Sequence, residues 1–304
     1  LLALAEPMSA AARMQESFDA LQRALDLADH VGDRALQCRA LNLLGAWYDD
    51  QSLLDDARAR YEAALRLAHE LGDRRMEGGL LGNLGGLHLS QGRLEQARES
   101  FTQALVFARQ VGDRRWEGNA LCNLGFLDHE QGLADEARSH FEDALQIARE
   151  LGHGQLESTV LCNLGLMLEA AGDEEAACNH YERAVAIAQE LGDQRSEAQI
   201  RVYLGRVYAR QRRFDGARAC LATAARLLDA LADRGSQALL WCSEAELSHL
   251  QGDAGESRSQ LARAQAFADE CQAEPDSELE RTIGRLRGLL AGQASNAPSR
   301  TRST

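Results

Sequence analysis

The stretch that decides the fold runs from Arg114 to Gly152 and reads RRWEGNALCNLGFLDHEQGLADEARSHFEDALQIARELG. Apolar residues in both halves recur at the spacing of one helix face, first at Leu121, Leu124 and Leu127, then at Ala137, Phe141, Ala144, Leu145 and Ala148. Gln131-Gly132 separates the two halves, and Gly152 follows the second as a left-handed cap residue does. The stretch therefore predicts two amphipathic helices, over 114–130 and 134–151.

The same two-helix pattern returns every 40 residues along the 304-residue chain. Its first helix carries a Leu-Gly pair, at Leu44-Gly45, Leu84-Gly85, Leu124-Gly125, Leu164-Gly165 and Leu204-Gly205. Its second helix carries an alanine and then a large residue, at Ala57 and Tyr61, Ala97 and Phe101, Ala137 and Phe141, Ala177 and Tyr181, and Ala217 and Leu221. Units that cannot bury an apolar face alone stack on one another, so the period predicts an all-α solenoid of antiparallel helix pairs.

Glycine and aspartate mark the predicted turns between successive pairs, at Gly72-Asp73, Gly112-Asp113 and Gly192-Asp193. Glycine suits a left-handed helix C-cap, and aspartate suits the N-cap of the next helix. The glycines inside the first helices, such as Gly85 and Gly125, each cost about 1 kcal/mol relative to alanine. We expect close approach of the partner helix, whose repeated alanines are small, to account for them.

The repeat divides the chain into four segments. We predict a truncated preceding repeat at 1–33, six full units over 34–273, a capping helix at 274–291 and a disordered tail at 292–304. The capping helix departs from the pattern because it covers an otherwise exposed core. The tail has no periodic apolar residues. Since the chain does not begin with Met, we expect it to be a piece of a longer protein.

Composition excludes several classes of protein. The net charge is −14, and all 33 cations are arginine. No apolar run approaches the ~18 residues of a membrane span, and so acidic a chain is unsuited to a broad basic face for nucleic acid. Seven scattered cysteines, with no CxxC motif and no signal peptide, indicate reduced thiols in the cytoplasm.

The sequence gives no indication of a catalytic or metal site. His140, His180 and Cys220 occupy equivalent positions, but such positions in adjacent repeats lie about 10 Å apart, whereas zinc–ligand bonds are about 2.0–2.3 Å long. No phosphate-binding loop, HExxH or GxSxG motif occurs. We expect no enzyme active site, no metal and no cofactor in this chain.

The order of Leu-Gly, small Ala, aromatic residue and further Ala resembles the tetratricopeptide repeat family. The unit is longer than the usual length of about 34 residues, and Leu-Gly-Asp replaces the usual proline between units. Both departures resemble the repeats of kinesin light chains, spindle-orientation adaptors, Rap proteins and the C-terminal arms of bacterial signalling ATPases and kinases. The phrase from Leu71 to Gly78, nearly repeated from Val111 to Gly118, is most similar to the last group. The resemblance implies a right-handed superhelix whose first helices line a concave groove.

The resemblance also implies which positions face that groove. The candidate ligand contacts there are Asn83, Asn123, Asn163, Asn42, Asn119, Phe126, His129, Glu130, Glu169, Tyr203, Arg206 and Arg210. Asparagine at one position in three successive units can pair with the backbone of an extended peptide, because an amide both donates and accepts. The same asparagines can instead bond the neighbouring helix and order the stack. The charges predict an acidic middle and a basic patch at Arg206 and Arg210, which would bind an acidic ligand group.

Together these features predict a cytoplasmic protein-interaction module whose partner is a protein or peptide, with no nucleic acid and no membrane. We expect it to be the regulatory arm of a larger bacterial signalling protein, and to contact domains of that protein that precede residue 1. The alternatives are a stand-alone scaffold that assembles other proteins and a receptor for a small signalling peptide. The fold alone does not choose among them.

Overall fold

The computed structural model describes residues 10–51, 53–271 and 277–295, and every regular element in these ranges is an α-helix. The helices are α1 (Ala10–Val31), α2 (Arg34–Asp50), α3 (Leu54–Leu71), α4 (Arg74–Ser90), α5 (Leu94–Val111), α6 (Arg114–Glu130), α7 (Ala134–Glu150), α8 (Gly154–Ala170), α9 (Glu174–Leu191), α10 (Gln194–Arg210), α11 (Phe214–Leu231), α12 (Arg234–Leu250), α13 (Ala254–Cys271) and α14 (Glu278–Ser295). No helix in these ranges is long and apolar enough to cross a membrane.

The helices form two compact units, one ending at Leu151 and one beginning at Gly152. In the first unit, α2 packs on α3 and α4 on α5, and α6 packs on α7. In the second unit, the pairs are α8 with α9, α10 with α11 and α12 with α13. The predicted all-α fold of stacked antiparallel helix pairs is confirmed in each unit. We call the leading helix of each pair its first helix and the other its second helix.

The predicted caps occupy the turns between pairs. The side chains of Asp73 and Asp113 accept hydrogen bonds from the backbone N–H groups of Met76 and Trp116 at the starts of α4 and α6. Gly72 caps the end of α3 with a left-handed φ of 68°. Because these caps satisfy otherwise unpaired backbone groups, each turn is specified locally by its own sequence.

The glycines inside the first helices face aromatic rings. A methyl group placed on Gly85 would lie 2.5 Å from Cδ1 of Phe101, and one on Gly165 would lie 2.5 Å from Cε1 of Tyr181. The partner helix does approach closely, as the sequence predicted. At these positions, however, the space is filled by the large residue of the second helix and not by its small alanine. These rings are among the largest fully buried side chains of their units.

The two ends of the chain differ in part from the predicted segments. α1 runs without a break through positions that correspond to the turn inside a full unit, and the first helix predicted for the truncated repeat lies outside the described residues apart from its end. At the other end, α14 buries Ile283 and Leu286 against α12 and α13. It continues to Ser295, beyond the predicted start of the tail at 292, and residues 296–304 lie outside the described part of the chain.

Candidate peptide-binding face

The first helices of each unit contact one another directly. In the first unit α4 touches both α2 and α6, and in the second unit α10 touches both α8 and α12. Among the described residues, successive second helices of a unit make no comparable contact. The first helices therefore form the tighter layer of each unit. We call the surface of this layer that carries the predicted groove positions the first-helix face.

One predicted asparagine in the first unit bonds the neighbouring helix. Nδ2 of Asn83 on α4 donates to Oδ1 of Asn42 on α2 at 2.9 Å. Both side chains are half-buried. This bond ties consecutive first helices together, which is the contact expected if the asparagines order the stack.

The predicted residues of α6 form a different arrangement. Asn119, Asn123 and Phe126 are spaced along one side of the helix, and all three are half-buried. Neither asparagine makes a side-chain hydrogen bond within the described residues. His129 and Glu130, at the end of α6, interact with neighbouring protein groups. The first-helix face of this unit therefore presents two unbonded amides beside an aromatic ring.

Sequence reasoning missed a buried carboxylate at the end of α6. Asp128 is 1% exposed and lies 2.7 Å from the guanidinium of Arg98 and 2.7 Å from Nδ1 of His140. The available signal was a carboxylate within the apolar spacing of α6, one residue after Leu127. His140 occupies the same repeat position as His180 and Cys220. Its contact is with a carboxylate from its own two-helix unit.

In the second unit the structure brings Glu169, Arg206 and Arg210 together. Arg206 donates from Nε and a terminal nitrogen to the two oxygens of Glu169, at 2.8 and 2.9 Å. Arg210 donates to the same carboxylate at 2.9 Å. The expectation of separate acidic and basic patches is wrong here, because these charges neutralise one another across α8 and α10. Arg206 is buried, so the open basic patch that was to bind an acidic ligand group is not present at this residue.

The ion pairs continue into α12 and α14. Nε of Arg210 donates to Glu246 at 2.6 Å, and Arg285 of α14 donates to both oxygens of Glu246, at 3.2 and 2.7 Å. Burial acts to raise the pKa of Glu246, but the hydrogen bonds from Arg285 and Arg210 outweigh it and hold that pKa at about 2. Burial likewise acts to lower the pKa of Arg206, and the Glu169 carboxylate outweighs it, so Arg206 stays charged.

Tyr203 is also committed to internal contacts. It occupies the asparagine position of its unit, stacks on Tyr181 with ring centroids 5.9 Å apart, and donates its hydroxyl to Glu278 of α14 at 3.1 Å. Tyr181 donates to Glu169 at 3.0 Å. We call Glu169, Tyr181, Tyr203, Arg206, Arg210, Glu246, Glu278 and Arg285 the buried charge cluster. Its members come from α8, α9, α10, α12 and α14, so it joins the first helices of the second unit to the capping helix.

Glu278 should make the stability of the second unit depend on pH. Burial raises the pKa of Glu278, and Arg206 and the Tyr203 hydroxyl only partly oppose this effect. A raised folded-state pKa means that the contribution of the group is full below its unfolded-state value, near 4.5, and is lost as the pH rises through the folded-state value. We therefore expect Glu278→Gln to raise the melting temperature at pH 7.

Thermal unfolding of both proteins between pH 7 and 4.5 tests this expectation, and the advantage of the variant should disappear toward pH 4.5. Glu246 does not interfere in this window, because its stabilising effect is lost only as the pH falls below it. A variant that melts lower than the wild-type chain at both pH values would show that the ionised Glu278 is instead stabilising.

The remaining predicted asparagine, Asn163 on α8, is half-buried and interacts with other groups of the protein. Within the described residues there is no group of three or more His, Cys, Asp or Glu side chains that could hold a metal ion. Within the described part of the chain, the cysteines form no disulfide.

Sequence comparison matches a family profile described as "Tetratricopeptide repeat" to residues 77–150, 116–190 and 155–230, which together span half of the chain. A second profile, described as "Anaphase-promoting complex subunit 5", matches residues 7–77. No curated protein matches the sequence.

Solved structures similar to this chain share its fold at low sequence identity. A Rap protein complexed with competence and sporulation factor is 14% identical with a TM-score of 0.65, over 94% of this chain and 89% of that one. The Rap conjugation regulator of plasmid pLS20 in complex with the Phr* peptide is 15% identical with a TM-score of 0.67, over 90% and 80%. The PH0952 STAND protein of Pyrococcus horikoshii, which has a tetratricopeptide repeat sensor, is 17% identical with a TM-score of 0.62, over 92% of this chain and 44% of that one.

Proposed function

This chain belongs to the tetratricopeptide repeat family and is a protein-interaction module, and from that premise we propose that the first-helix face of its first unit binds an extended peptide segment of a partner. We further propose that the module is the regulatory arm of a larger bacterial signalling protein and acts in the cytoplasm.

The observation that carries the peptide proposal is the environment of Asn123. Its amide is half-buried and makes no side-chain hydrogen bond in the described residues, and Asn119 and Phe126 lie on the same side of α6. An amide can donate to a peptide carbonyl and accept from a peptide N–H, so it recognises the backbone whatever the side chains are. Phe126 adds apolar area for a ligand side chain, which is how aromatic residues contribute at interfaces.

The structural neighbours support the regulatory part of the proposal. One of them is a Rap protein complexed with competence and sporulation factor, and another is a Rap conjugation gene regulator in complex with the Phr* peptide. A third has a tetratricopeptide repeat sensor, and the matched part makes up 44% of that longer chain. A signalling-peptide receptor is therefore the second candidate, and it uses the same face with a free peptide in place of a partner segment.

Peptide selection on the intact chain tests the proposal. Peptides selected from a displayed library on the wild-type protein would be measured by isothermal titration against wild type and Asn123→Ala. We expect the substitution to weaken binding by about 1–3 kcal/mol, because it leaves a desolvated peptide group without a partner. The melting temperature should stay unchanged, since Asn123 makes no internal side-chain hydrogen bond.

Asn83→Ala is the matched control for this experiment. It removes the hydrogen bond to Asn42, so it should lower stability by about 0.5–1.5 kcal/mol whatever it does to binding. The proposal fails if Asn123→Ala lowers the melting temperature as much as Asn83→Ala does and leaves peptide affinity untouched. If no peptide is selected and the purified chain instead joins folded proteins into a stable assembly, the scaffold alternative is favoured.

A further inference from the structure

The first unit has an open cleft of about 590 Å³ on its second-helix side. The cleft lies between α3 and α5, and the first half of α4 forms its floor. Its inner wall is formed by the apolar side chains of Leu65, Leu81 and Phe107. Its rim is polar and exposed, and consists of Glu62, Arg66, His69, Glu70, Arg74 and Gln103. The volume is within the range of about 300–1,000 Å³ that is usual for sites of small ligands.

A buried carboxylate lines this apolar cleft. The Glu77 side chain is only 3% exposed, and its Oε2 accepts a hydrogen bond from Arg74 at 2.7 Å. Its Oε1 is buried and accepts no hydrogen bond from any residue that the structure describes. Nδ1 of His69 lies 3.3 Å from Oε1, which is within ion-pair distance when His69 is protonated, but the contact does not have hydrogen-bond geometry. An unmet buried acceptor costs about 1–3 kcal/mol, so a native carboxylate left in this state is uncommon.

Glutamates at the equivalent position of other repeats accept a hydrogen bond at Oε1, and one of them also accepts a hydrogen bond at Oε2. In the next repeat, Arg109 donates to Oε1 of Glu117 at 2.9 Å, and Arg114 donates to its Oε2 at 2.6 Å. In the second unit, Gln189 donates to Oε1 of Glu197 at 2.9 Å. Arg109 and Gln189 occupy the repeat position of His69. The open acceptor at Glu77 therefore follows from the histidine at this one position.

We propose that this cleft binds a cationic group carried on an apolar stem, an alkylammonium or alkylguanidinium ion. Oε1 of Glu77 would accept a charge-assisted hydrogen bond from the cation, and Leu65, Leu81 and Phe107 would contact the stem. The net charge of −14 attracts cations to the protein as a whole. The ion can come from a free amine or from an arginine or lysine side chain of a peptide.

This site does not depend on the proposed peptide-binding face. It is lined by α3, α5 and the first half of α4, and no residue of the first-helix face named above lines it. Either proposal can therefore fail while the other stands.

Titration of the intact chain with two probes tests the cleft and its ligand source. Hexylammonium represents a free amine, a capped arginine peptide represents a protein segment, and hexanoate is the anionic control. Binding is followed by backbone amide NMR shifts of α3, α4 and α5. We expect at least one cationic probe, and not hexanoate, to shift these amides saturably. The tighter of the two cations identifies the source.

Two variants identify Glu77 as the recognition group. Glu77→Gln keeps the shape of the side chain but removes its charge, and should weaken binding at least tenfold. His69→Arg introduces the residue found at Arg109, so its guanidinium should occupy Oε1 and also weaken binding at least tenfold. The second variant should raise the melting temperature, which separates a filled site from a damaged fold.

Glu95→Gln, on the exposed surface of α5 and outside the cleft, is the control and should change affinity less than twofold. The proposal is overturned if neither cation shifts the amides at 10 mM, or if His69→Arg binds as the wild-type chain does. It is also overturned if Glu95→Gln weakens binding as much as Glu77→Gln, because attraction would then be a general effect of negative charge.

Discussion

Replacing Arg206 by methionine is expected to lower the free energy of unfolding of the second unit by about 3–5 kcal/mol. The Arg206 side chain is 9% exposed and makes two hydrogen bonds to Glu169. Methionine preserves much of the packing of the side chain but leaves the buried Glu169 with Arg210 as its single cationic partner. The cost arises because a buried charge that loses its partner still carries the penalty of desolvation. Urea unfolding followed by circular dichroism measures it.

The control for this prediction is a solvent-exposed ion pair. Arg218 contacts Asp215 at 2.5 Å, with the two side chains 54% and 98% exposed, so Arg218→Met should change stability by less than about 1 kcal/mol. Adding Glu169→Met to Arg206→Met removes the uncompensated carboxylate and should recover part of the loss. A single variant as stable as the wild-type chain would show that the cluster contributes little to holding α8 and α10 together.

Gly85→Ala is expected to destabilise the first unit by about 1–3 kcal/mol, although alanine is the better helix former. The added methyl group would lie 2.5 Å from the Phe101 ring, and this ring is only 1% exposed, so its neighbours leave it little room to move. Overpacking of a core side chain forces strained rotamers or backbone shifts. Thermal and urea unfolding of the intact chain would measure the loss.

The adjacent glycine is a matched control in the same helix. Gly86 is exposed, and a methyl group placed on it would meet nothing within 4 Å. Gly86→Ala should therefore stabilise the first unit by about 0.5–1 kcal/mol through helix propensity alone. If both substitutions stabilise the protein, the aromatic ring is not what selects glycine at position 85.

Much of the fold could be predicted because its signals are local. The helical spacing of apolar residues over 114–152 depends only on neighbours along one helix face. The caps at Asp73 and Asp113 accept hydrogen bonds from backbone groups three residues away. Because the period is 40 residues throughout, the packing of one helix pair is repeated in each unit. The sequence predicted the last helix to end at residue 291, whereas α14 continues through Gly292 to Ser295.

The candidate site was predicted less completely. Sequence position correctly grouped Asn119, Asn123 and Phe126 on one helix, but it could not show that Arg206 and Glu169 neutralise each other. These two residues are 37 positions apart, and Tyr203 and Glu278 are 75 apart. The sequence pattern assigned each charge to a face, whereas the partner of each charge depends on side chains from several helices.

The sequence by itself determined the repeat length, the helix pairs, the caps and the positions that require glycine, because these depend on contacts within one unit or with its immediate neighbour. Only the tertiary structure decided which polar groups remain available. It joined Glu169, Arg206 and Glu246 into a closed cluster and left Oε1 of Glu77 open. The physical reason is that a buried polar group is satisfied or unsatisfied by donors from other helices, and a single exchange of His69 for arginine in the repeat would change that outcome without changing the fold.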